Sequence, residues 1–505
     1  MIHRREFYDK RAQCRLRESK RGYHQLLQRY FTFLIPPNAR VLEIGCGIGD
    51  LLAAVKPSYG VGIDFAEGMV ALARQRHPEL KFHMADAMMI SGEEQFDYII
   101  LSDLINDLPD VQQAFATALR HAHPNTRIVV NFFNSLWRPV LSLTEKCGLK
   151  APTLQQNWLS MEDVKNLLHL AGWEVVKSET RILWPAKTLL LDELLNRWLA
   201  PCLKHFCLTI FIVARPRPIP DQRIEHESGK AGQVLEYSET GHRLRNRQYV
   251  DAIFKDDSLA ARPKKEFRCS VVIPARNEAG NIEAAVQRTP ELGLGTEIIF
   301  IEGHSKDNTW EEIQRVKAKY PHRDIKALKQ TSKGKGGAVR EAFACATGDL
   351  LLILDADLTM PPEELPKFYE IARSGLGDFV NGVRLVYPME NQAMQFLNMI
   401  ANKLFGIAFT WLLGQPIRDT LCGTKVLFRR DYELISKNRA YFGDFDPFGD
   451  FDLLFGAAKL NLKIIDLPIR YRARTYGSTN ISRWSHGWLL LRMVLFAAKR
   501  FKFLA

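Results

Sequence analysis

The stretch GDLLLILDADLTMPPEEL, residues 348–365, carries two aspartates, Asp355 and Asp357, at the end of a continuous apolar run. This run, with a glycine before it and prolines after it, predicts a buried strand. Alternate residues of a strand face the same way, so both carboxylates can help to hold one hard divalent cation against a diphosphate. We therefore expect a Mg²⁺ or Mn²⁺ site at Asp355 and Asp357, although an isolated Asp-x-Asp pair also arises by chance.

Strand and helix patterns alternate around this stretch, which predicts an α/β domain. SVVIPARNEAGNI (270–282) predicts a strand and a helix capped near Asn281, and EIIFIEGHSKDNTWE (297–311) predicts a strand ending in Glu302. A basic, glycine-rich loop then runs into a helix, KGKGGAVREAF (333–343). The predicted strands of this block are Ser270–Ile273, Glu297–Ile301, Ile325–Leu328 and Leu350–Leu354.

Two downstream segments complete an ordered set of motifs: DTLCGTKVLFRRD (419–431) and GDFDPFGDFDLLFGAAKLNLKIIDLPIRYRARTYGSTNISRW (443–484). Over about residues 270–484 the set resembles the inverting glycosyltransferases of the dolichyl-phosphate mannose synthase-like group. The resemblance implies a GT-A-type, nucleotide-sugar-binding α/β fold. It also implies metal-dependent transfer of a sugar from a nucleotide-sugar donor.

The same resemblance assigns roles to individual residues. The nucleotide-sugar site would comprise Pro274, Ala275, Arg276, Glu278, Glu302, Asp355 and Arg474. Arg474 and the loop 476–479 would close over the diphosphate, although Arg474 could also belong to a solvated basic face. Asp452 would be the catalytic base or an acceptor-side contact, with Asp450 as the alternative. Acids at a helix N-terminus are also favoured by the helix dipole, so a structural role for both stays open.

The acceptor and the nucleotide are defined less sharply. Relatives often carry two aspartates before Gly-Ser, whereas this chain has Glu302-Gly303-His304-Ser305, which leaves the nucleotide open. The segment Met394–Leu413 is rich in Phe and Leu and predicts a pair of interfacial helices. We therefore expect a polyprenyl phosphate or a lipid-linked glycan as the acceptor.

A second glycine-rich turn lies near the N-terminus, after the strand VLEI (41–44). The turn is GCGIG, whose glycines are Gly45, Gly47 and Gly49. Glycines at a strand-to-helix turn let the backbone approach a ligand closely. Glu43 precedes the turn and favours a cationic sulfonium ligand over the pyrophosphate of a dinucleotide. Asp64, at the end of the next strand, can accept both ribose hydroxyls, and Asp86 lies where an adenine amino group could donate.

Over about residues 40–216 this set resembles the class I S-adenosylmethionine-dependent methyltransferases. The resemblance implies that S-adenosyl-L-methionine is bound by Glu43, Gly45, Gly47, Gly49, Asp64 and Asp86. An NAD-binding fold is the functional alternative, and the glycines could merely form a tight turn. The strands expected in this Rossmann-like sheet are Arg40–Ile44, Gly60–Ile63, Tyr98–Leu101 and Arg127–Asn131. Asp103, Asn106 and Asp107 could contact a methyl acceptor, but we interpret them as a turn.

The domain boundaries follow from these motifs. Residues 1–215 are expected to form the methyltransferase domain, with its core at 40–214. Residues 216–266 would be a polar linker, and residues 267–505 the glycosyltransferase domain with a basic amphipathic tail. From Arg470 onward there are eight Lys or Arg and no Asp or Glu, interleaved with Trp, Leu and Phe. This composition favours peripheral contact with a membrane, and a helix packed on its own domain is the alternative.

Composition restricts where the protein acts. The 505 residues carry a net charge of +12, which suits nucleic acid, an anionic membrane or anionic substrates. No base-stacking motif or nucleic-acid fold is recognisable, so we do not expect nucleic acid as a partner. Eight cysteines without CxxC spacing favour a reducing compartment. Without a secretory signal or an apolar run of roughly 18 residues, the protein is expected to be cytoplasmic and peripheral on the inner membrane face.

Two functional hypotheses result. In the first, the chain is a bifunctional enzyme that transfers a sugar and a methyl group. In the second, only the glycosyltransferase is active, and the methyltransferase-like half is a non-catalytic binding or scaffold module. The apolar segment 183–208 is interpreted as core, with a membrane-facing surface as the alternative.

Overall fold

The computed structural model describes residues 5–9, 22–90, 92–147, 153–154, 156–186, 188, 191–218, 266–384, 396–439, 450–472, 474, 476 and 483–503. Residues 219–265, nearly all of the predicted linker, lie outside these ranges. The described residues form two seven-stranded sheets, one in each half of the chain. Helices pack against both sheets, so the fold is α/β, as predicted.

The N-terminal sheet has the strand order β3-β2-β1-β4-β5-β7-β6, with β7 antiparallel to both of its neighbours. Its strands are β1 (Arg40–Ile44), β2 (Tyr59–Asp64), β3 (Lys81–Met84), β4 (Phe96–Ser102), β5 (Ala122–Phe133), β6 (Trp173–Arg181) and β7 (Thr209–Pro216). Its helices are α1 (Gly22–Leu34), α2 (Asp50–Ala54), α3 (Glu67–Arg76), α4 (Val111–Arg120), α5 (Arg138–Lys146) and α6 (Met161–Leu170). Short helical turns cover Ser135–Trp137, Leu191–Glu193, Leu194–Leu199 and Lys204–Phe206.

Sequence periodicity explains how these elements pack. In β1, Leu42 and Ile44 belong to the core on one face of the sheet and Val41 to the core on the other. Strands buried on both faces are typical of parallel sheets flanked by helices. Helix α4 buries residues at helical spacing, namely Val111, Ala114, Phe115 and Ala118. Asp110 caps α4 by accepting from the backbone N–H of Gln113.

The C-terminal sheet has the order β10-β9-β8-β11-β13-β12-β14, with β13 antiparallel to both neighbours. Its strands are β8 (Cys269–Ala275), β9 (Thr296–Glu302), β10 (Asp324–Lys329), β11 (Leu350–Ile353), β12 (Phe379–Val383), β13 (Lys425–Phe428) and β14 (Ile464–Pro468). The helices are α7 (Ile282–Arg288), α8 (Thr309–Lys319), α9 (Gly334–Cys345), α10 (Leu365–Arg373), α11 (Phe396–Leu413), α12 (Arg429–Lys437), α13 (Asp450–Lys459) and α14 (Arg483–Phe501). Single 3₁₀ turns cover Ala279–Asn281 and Pro362–Glu364.

The strand β11 is buried, as its sequence predicts, and it lies in the middle of the sheet. All four of its residues are buried, and it pairs in parallel with β8, which in turn pairs in parallel with β9. The carboxyl ends of β8, β9 and β11 therefore share one edge of the sheet. In open α/β sheets, ligands bind in the crevice outside such an edge.

All eight strands expected from the sequence are present, although β5 begins earlier, at Ala122. The predicted pair of interfacial helices is wrong, because Phe396–Leu413 is one helix of 18 residues. Gly406 does not interrupt it but lets it pack closely, since an added Cβ would lie 3.0 Å from the carbonyl oxygens of Ile417 and Arg418. Within the described ranges no helix has both the length and the apolar character required to cross a membrane.

Buried charges join the two halves of the chain. Arg127 of β5 and Arg215 of β7 both pair with Asp378, which precedes β12, at 2.5 and 3.0 Å. On β6, Glu179 pairs with Lys502 of the C-terminal half at 2.7 Å. Removing one partner of a buried ion pair leaves an uncompensated charge. These pairs therefore favour one defined arrangement of the two sheets.

Candidate functional site

The glycine-rich turn after β1 has the backbone that its sequence predicts. Gly45, Gly47 and Gly49 all have positive φ angles, of 78°, 52° and 79°. Added Cβ atoms would approach Leu104 at Gly45 and Phe82 at Gly49, whereas at Gly47 a Cβ would meet nothing within 4 Å. The turn is therefore packed on its inner side and open at Gly47, where a ligand could approach the backbone.

The predicted acids surround this turn. Asp64 accepts from the backbone N–H of Gly47 at 2.9 Å and from that of Ala66 at 3.0 Å, so it fixes the turn against the end of β2. Asp86 accepts from the N–H of Met88 at 2.9 Å and is partly exposed. Ionised carboxylates only accept hydrogen bonds, which is the role that ribose hydroxyls or an adenine amino group would require of them.

Glu43 is the most unusual of these acids. It is buried, and Oε2 finds no hydrogen-bond donor among the described residues. Burial, with a smaller contribution from Asp64, raises the pKa of this carboxyl well above its usual range. An unsatisfied buried carboxyl costs free energy that a cationic ligand would recover. The residues therefore fit the sulfonium cofactor with its free amino group that the sequence predicts.

The turn predicted at Asp103, Asn106 and Asp107 is present, since the N–H of Asp107 donates to the carbonyl of Leu104 at 2.9 Å. Asp103 has a positive φ of 51°, a strained backbone for a residue with a Cβ. Its carboxylate accepts from Tyr23 and from Asn131, at 3.0 and 2.6 Å. The sequence analysis missed Tyr23 and Asn131, which share no motif with the turn.

In the C-terminal half the structure brings three predicted acids to the edge where β8 and β11 end. Arg474 bridges Asp357 and Glu278, at 2.6 and 3.1 Å. Asp355 forms an ion pair of 2.5 Å with Lys335, near the start of α9. Burial would raise the pKa of Asp355, but the attraction of Lys335 outweighs it and lowers that pKa. Burial raises the pKa of Glu278, helped by Asp357 and Asp355.

The loops after β8 and β9 hold each other in place. The N–H of Asn277 donates to Oγ of Ser305 at 3.0 Å, and the N–H of Lys306 donates to Oδ1 of Asn277 at 2.7 Å. Asn277 and His304 both have positive φ, of 55° and 58°, and strain of this kind clusters at ligand sites. Glu302 is buried and accepts from the N–H of Ser305.

The remaining members of the predicted nucleoside pocket differ in exposure. Pro274 and Ala275 close β8, where Ala275 is buried, while Arg276 is exposed at the start of the loop. The side chain of Asn281 does not cap α7 as predicted, because its amide donates to Glu278 at 2.7 Å. Of the predicted closing loop 476–479, only Tyr476 is among the described residues.

The sequence analysis did not assign Lys335, Lys425 or Gly423 to this site. Buried Lys425 donates to the carbonyl of Cys422 at 2.6 Å, and its charge helps to lower the pKa of Asp355. A Cβ on Gly423 would lie 2.1 Å from Oδ2 of Asp355 and 2.4 Å from Nζ of Lys335, so only glycine fits there. The lysine-rich motif KGKGG was a usable signal for Lys335, whereas Gly423 acts through a contact distant in sequence.

Asp452 has a different partner. It is buried in α13, and its Oδ2 lies 2.7 Å from Nε of Arg439. The side chain of Asp450, the first residue of α13, lies outside the described part of the structure. The choice between these two as catalytic base stays a prediction, as does the alternative that both only stabilise a helix N-terminus.

Asp355 and Asp357 offer two carboxylates to a metal ion. Within the described ranges no group of three or more His, Cys, Asp or Glu side chains forms a ready-made ion site. Mg²⁺ usually takes one or two protein carboxylates and completes its coordination with water and substrate phosphates. Two aspartates beside Lys335 and Arg474 therefore fit a metal that binds together with a diphosphate.

Comparison with known proteins agrees with this geometry. The methyltransferase domain model matches residues 8–178, and the glycosyl transferase family 2 model matches residues 270–434. A dolichol-phosphate mannosyltransferase from Pyrococcus furiosus is 39% identical over 222 residues, which are 43% of this chain and 59% of the relative. An undecaprenyl-phosphate 4-deoxy-4-formamido-L-arabinose transferase from Salmonella paratyphi B is 30% identical over 159 residues, 31% of this chain and 47% of the relative. This chain thus spans only about half of the length of these curated relatives.

A solved SAM-dependent methyltransferase from Thermotoga maritima is 18% identical, with a TM-score of 0.34, and the match covers 42% of this chain and 98% of the other. We draw no conclusion from that likeness. The methyltransferase model covers β1 to β5 and most of β6, and the glycosyl transferase family 2 model covers nearly all of β8 to β13, with the loops at Glu278, Glu302, Asp355 and Asp357. The chain therefore carries a methyltransferase domain followed by a domain of glycosyl transferase family 2.

Proposed function

We propose that the chain is a bifunctional enzyme. Its C-terminal domain transfers a sugar, with inversion, from a nucleotide-sugar to a polyprenyl phosphate or a lipid-linked glycan, and its N-terminal domain transfers a methyl group from S-adenosyl-L-methionine. The observation that supports the first activity best is the convergence of Asp355, Asp357 and Glu278 with Lys335 and Arg474 at one sheet edge. Acids and cations that lie together in this way can contact a metal ion and a diphosphate, respectively.

In this proposal the chain's own cations hold the donor. Lys335 and Arg474 leave their carboxylate partners and contact the diphosphate, while Asp355 and Asp357 hold Mg²⁺ or Mn²⁺ against it. The metal, when bound, would neutralise negative charge on the departing nucleoside diphosphate. Arg474 adds a second positive charge at the same place, and Lys335 a third. The strained loop at Asn277 and His304 receives the nucleoside.

An anionic acceptor explains how the reaction can proceed without a strong base. A phosphate oxygen is already negative and can attack the anomeric carbon from the face opposite the nucleotide. Asp452 or Asp450 would then orient the acceptor instead of removing a proton. Two of the relatives are a dolichol-phosphate mannosyltransferase and an undecaprenyl-phosphate 4-deoxy-4-formamido-L-arabinose transferase, and a polyprenyl phosphate is therefore the acceptor that we favour.

For the methyltransferase domain, we propose that Glu43 receives the amino group of the cofactor, Asp64 its ribose and Asp86 its adenine. The open backbone at Gly47 admits the cofactor between them. The acceptor would bind beyond the end of β4, beside Asp103. We also propose that the domains divide at the predicted boundaries, 1–215 and 267–505, and that the protein acts in the cytoplasm, peripheral to the membrane.

The alternative, a non-catalytic scaffold in the N-terminal half, has one observation in its favour. The carboxylate of Asp103 is already engaged by Tyr23 and Asn131, which leaves it less available to a methyl acceptor. Calorimetric titration of the full chain with S-adenosylmethionine separates the two functions. Binding supports an active domain, and the absence of a heat signal at several temperatures favours the scaffold.

A donor screen tests the proposed sugar transfer. The full chain is incubated with UDP- and GDP-sugars and with Mn²⁺ or Mg²⁺, in the presence and absence of a polyprenyl phosphate. We expect release of nucleoside diphosphate that depends on both metal and lipid. Release from every donor that is unaffected by lipid would contradict the proposed acceptor, and no release from any donor would contradict the proposed activity.

A further inference from the structure

Exposed large apolar side chains are concentrated on a few segments of this molecule. In the N-terminal half they lie on α5 with the turn before it and on the segment 191–206. In the C-terminal half they lie on α11 and α14. The members are Leu136, Val140, Leu143, Leu191, Leu194, Trp198, Leu199, Leu203, Phe206, Leu404, Ile407, Leu491 and Leu495. The sequence analysis interpreted 183–208 as core, and these exposures show that much of it is surface.

Direct contacts connect these segments across the two domains. Trp137 donates from Nε1 to the carbonyl of Phe206 at 2.8 Å, which joins the start of α5 to the segment 191–206. The ring of Trp198 stacks on Phe503, just beyond α14, at 5.1 Å between centroids. Trp411 of α11 lies 6.2 Å from the same ring. The four segments therefore form one continuous surface, here named the bridging face.

A cleft opens within the bridging face, between the domains. Its volume is about 720 Å³, and its lining includes Leu136, Lys204 and His205 from one domain and Ile407 and Trp411 from the other. Leu136 and Ile407 are 64% and 69% exposed, so the apolar rim of the cleft faces outward. The lining also includes Glu179, but its carboxylate pairs with Arg181 and Lys502 of the same lining, so the cleft keeps an excess of positive charge. A cleft lined by apolar side chains and excess positive charge suits an amphipathic, anionic occupant.

The charged side chains around the bridging face are mostly positive. Its described segments carry eight basic groups at the surface, Arg138, Lys146, Arg197, Lys204, Lys403, Arg492, Lys499 and Arg500. The acids on the same segments are Glu145, Asp192 and Glu193. The excess of five positive charges is complementary to anionic headgroups, whereas apolar side chains rimmed by basic ones are typical of proteins that bind in the plane of a membrane interface.

We propose that the bridging face docks on the surface of an anionic phospholipid bilayer, with leucines of both domains at the acyl boundary. This inference deepens the proposed function, because it assigns to the methyltransferase domain most of the membrane contact that the glycosyltransferase needs. The buried pairs of Asp378 with Arg127 and Arg215 fix the two domains relative to each other, so that both contribute to one common surface.

Flotation with vesicles tests this inference. The full chain is mixed with vesicles of phosphatidylcholine alone or of phosphatidylcholine with phosphatidylglycerol, at low and high salt, without any sugar or methyl donor. We expect binding to the anionic vesicles that weakens as salt is added. Leu136→Asp and Leu143→Asp should each lower the partition coefficient by about tenfold, since each loses one leucine from the apolar boundary. Lys204→Glu should lower it at least about fivefold at low salt.

A matched control is available. Leu294 is 69% exposed but belongs to the loop between α7 and β9, outside the bridging face, so Leu294→Asp should bind vesicles as the unsubstituted chain does. Equal binding by Leu136→Asp, or no binding to anionic vesicles by the unsubstituted chain, would overturn the proposal. A dimer in light scattering that Leu136→Asp dissociates would instead assign the face to a second copy. Because no donor is present, failure here leaves the proposed sugar transfer standing.

Discussion

Arg474 joins the ends of two adjacent strands, because its guanidinium contacts Asp357 after β11 at 2.6 Å and Glu278 after β8 at 3.1 Å. One side chain thus pairs with two acids from two different loops. In the proposed reaction the same cation turns to the diphosphate of the donor.

Replacing this arginine should affect chemistry more than folding. Arg474→Ala removes one positive charge from the leaving diphosphate, and loss of one such group costs about 10²- to 10³-fold in kcat. Arg474→Lys keeps the charge but loses the forked contact with two acids, so it should recover only part of the rate. Nucleoside diphosphate release measures both. An unchanged kcat for Arg474→Ala would assign the residue to a solvated basic face.

Gly423 should tolerate no side chain. A Cβ at this position would lie 2.1 Å from Oδ2 of Asp355, so Gly423→Ala must displace that aspartate or Lys335. We expect transfer to fall by about 100-fold, because misplacing a reactive group by about 1 Å has costs of this size. The melting temperature, measured in parallel, separates this effect from unfolding. Full activity in Gly423→Ala would show that Asp355 needs no fixed position.

Binding of S-adenosylmethionine should depend on pH through Glu43. Burial raises the pKa of this carboxyl, and a cationic ligand favours its ionised form. At a pH below the raised pKa, binding must therefore release a proton, and the affinity should rise by up to about tenfold per pH unit. Above that pKa the dependence should vanish. Calorimetry in two buffers of different ionisation enthalpy measures the number of protons that are released when S-adenosylmethionine binds.

Glu43→Gln provides the control for this measurement, because an amide of the same shape cannot ionise. The variant should bind more weakly and show no pH dependence over the same range. If Glu43→Gln keeps the dependence, another group is the source, and the assignment of Glu43 to the amino group of the cofactor fails.

The buried charges between the two halves should dominate their coupling. Asp378 pairs with both Arg127 and Arg215. Asp378→Ala removes the carboxylate that pairs with buried Arg127, whereas Arg215 keeps its second partner, Glu174, at 2.9 Å. We expect a loss of about 3–5 kcal/mol in the free energy of unfolding, measured by chemical denaturation. The exposed pair of Arg268 and Asp324 is a matched control, since Asp324→Ala should cost no more than about 1 kcal/mol. Equal losses in both variants would mean that the buried pairs do not couple the domains.

Much of the fold follows from local patterns. The strand β11 and the loops at Asp355 and Asp357 could be predicted because a short apolar run and the turn residues after it lie together in the sequence. The turn at Gly45 to Gly49 was predictable for the same reason. Such a turn requires residues with positive φ, and glycine adopts these angles without steric cost. The spacing of the glycines therefore predicts the turn.

Other parts of the site depend on contacts between distant segments. The approach of Gly423 to Asp355, and the pairing of Arg127 with Asp378, join residues that share no motif. Helix α11 was predicted as two helices, whereas the structure has one, in which tertiary packing against Ile417 accommodates Gly406. Long-range packing of this kind overrides local propensity and leaves no periodic signal.

The central claim is that Asp355 and Asp357 hold a divalent cation together with the diphosphate of a sugar donor. Electron paramagnetic resonance of free Mn²⁺, titrated into the full chain with and without UDP or GDP, tests this claim without any need for turnover. We predict that the unsubstituted chain removes Mn²⁺ from solution when the nucleotide is present, and that Asp355→Asn and Asp357→Asn each lose this binding. If Asp357→Asn takes up Mn²⁺ with nucleotide as the unsubstituted chain does, the proposed metal site is contradicted.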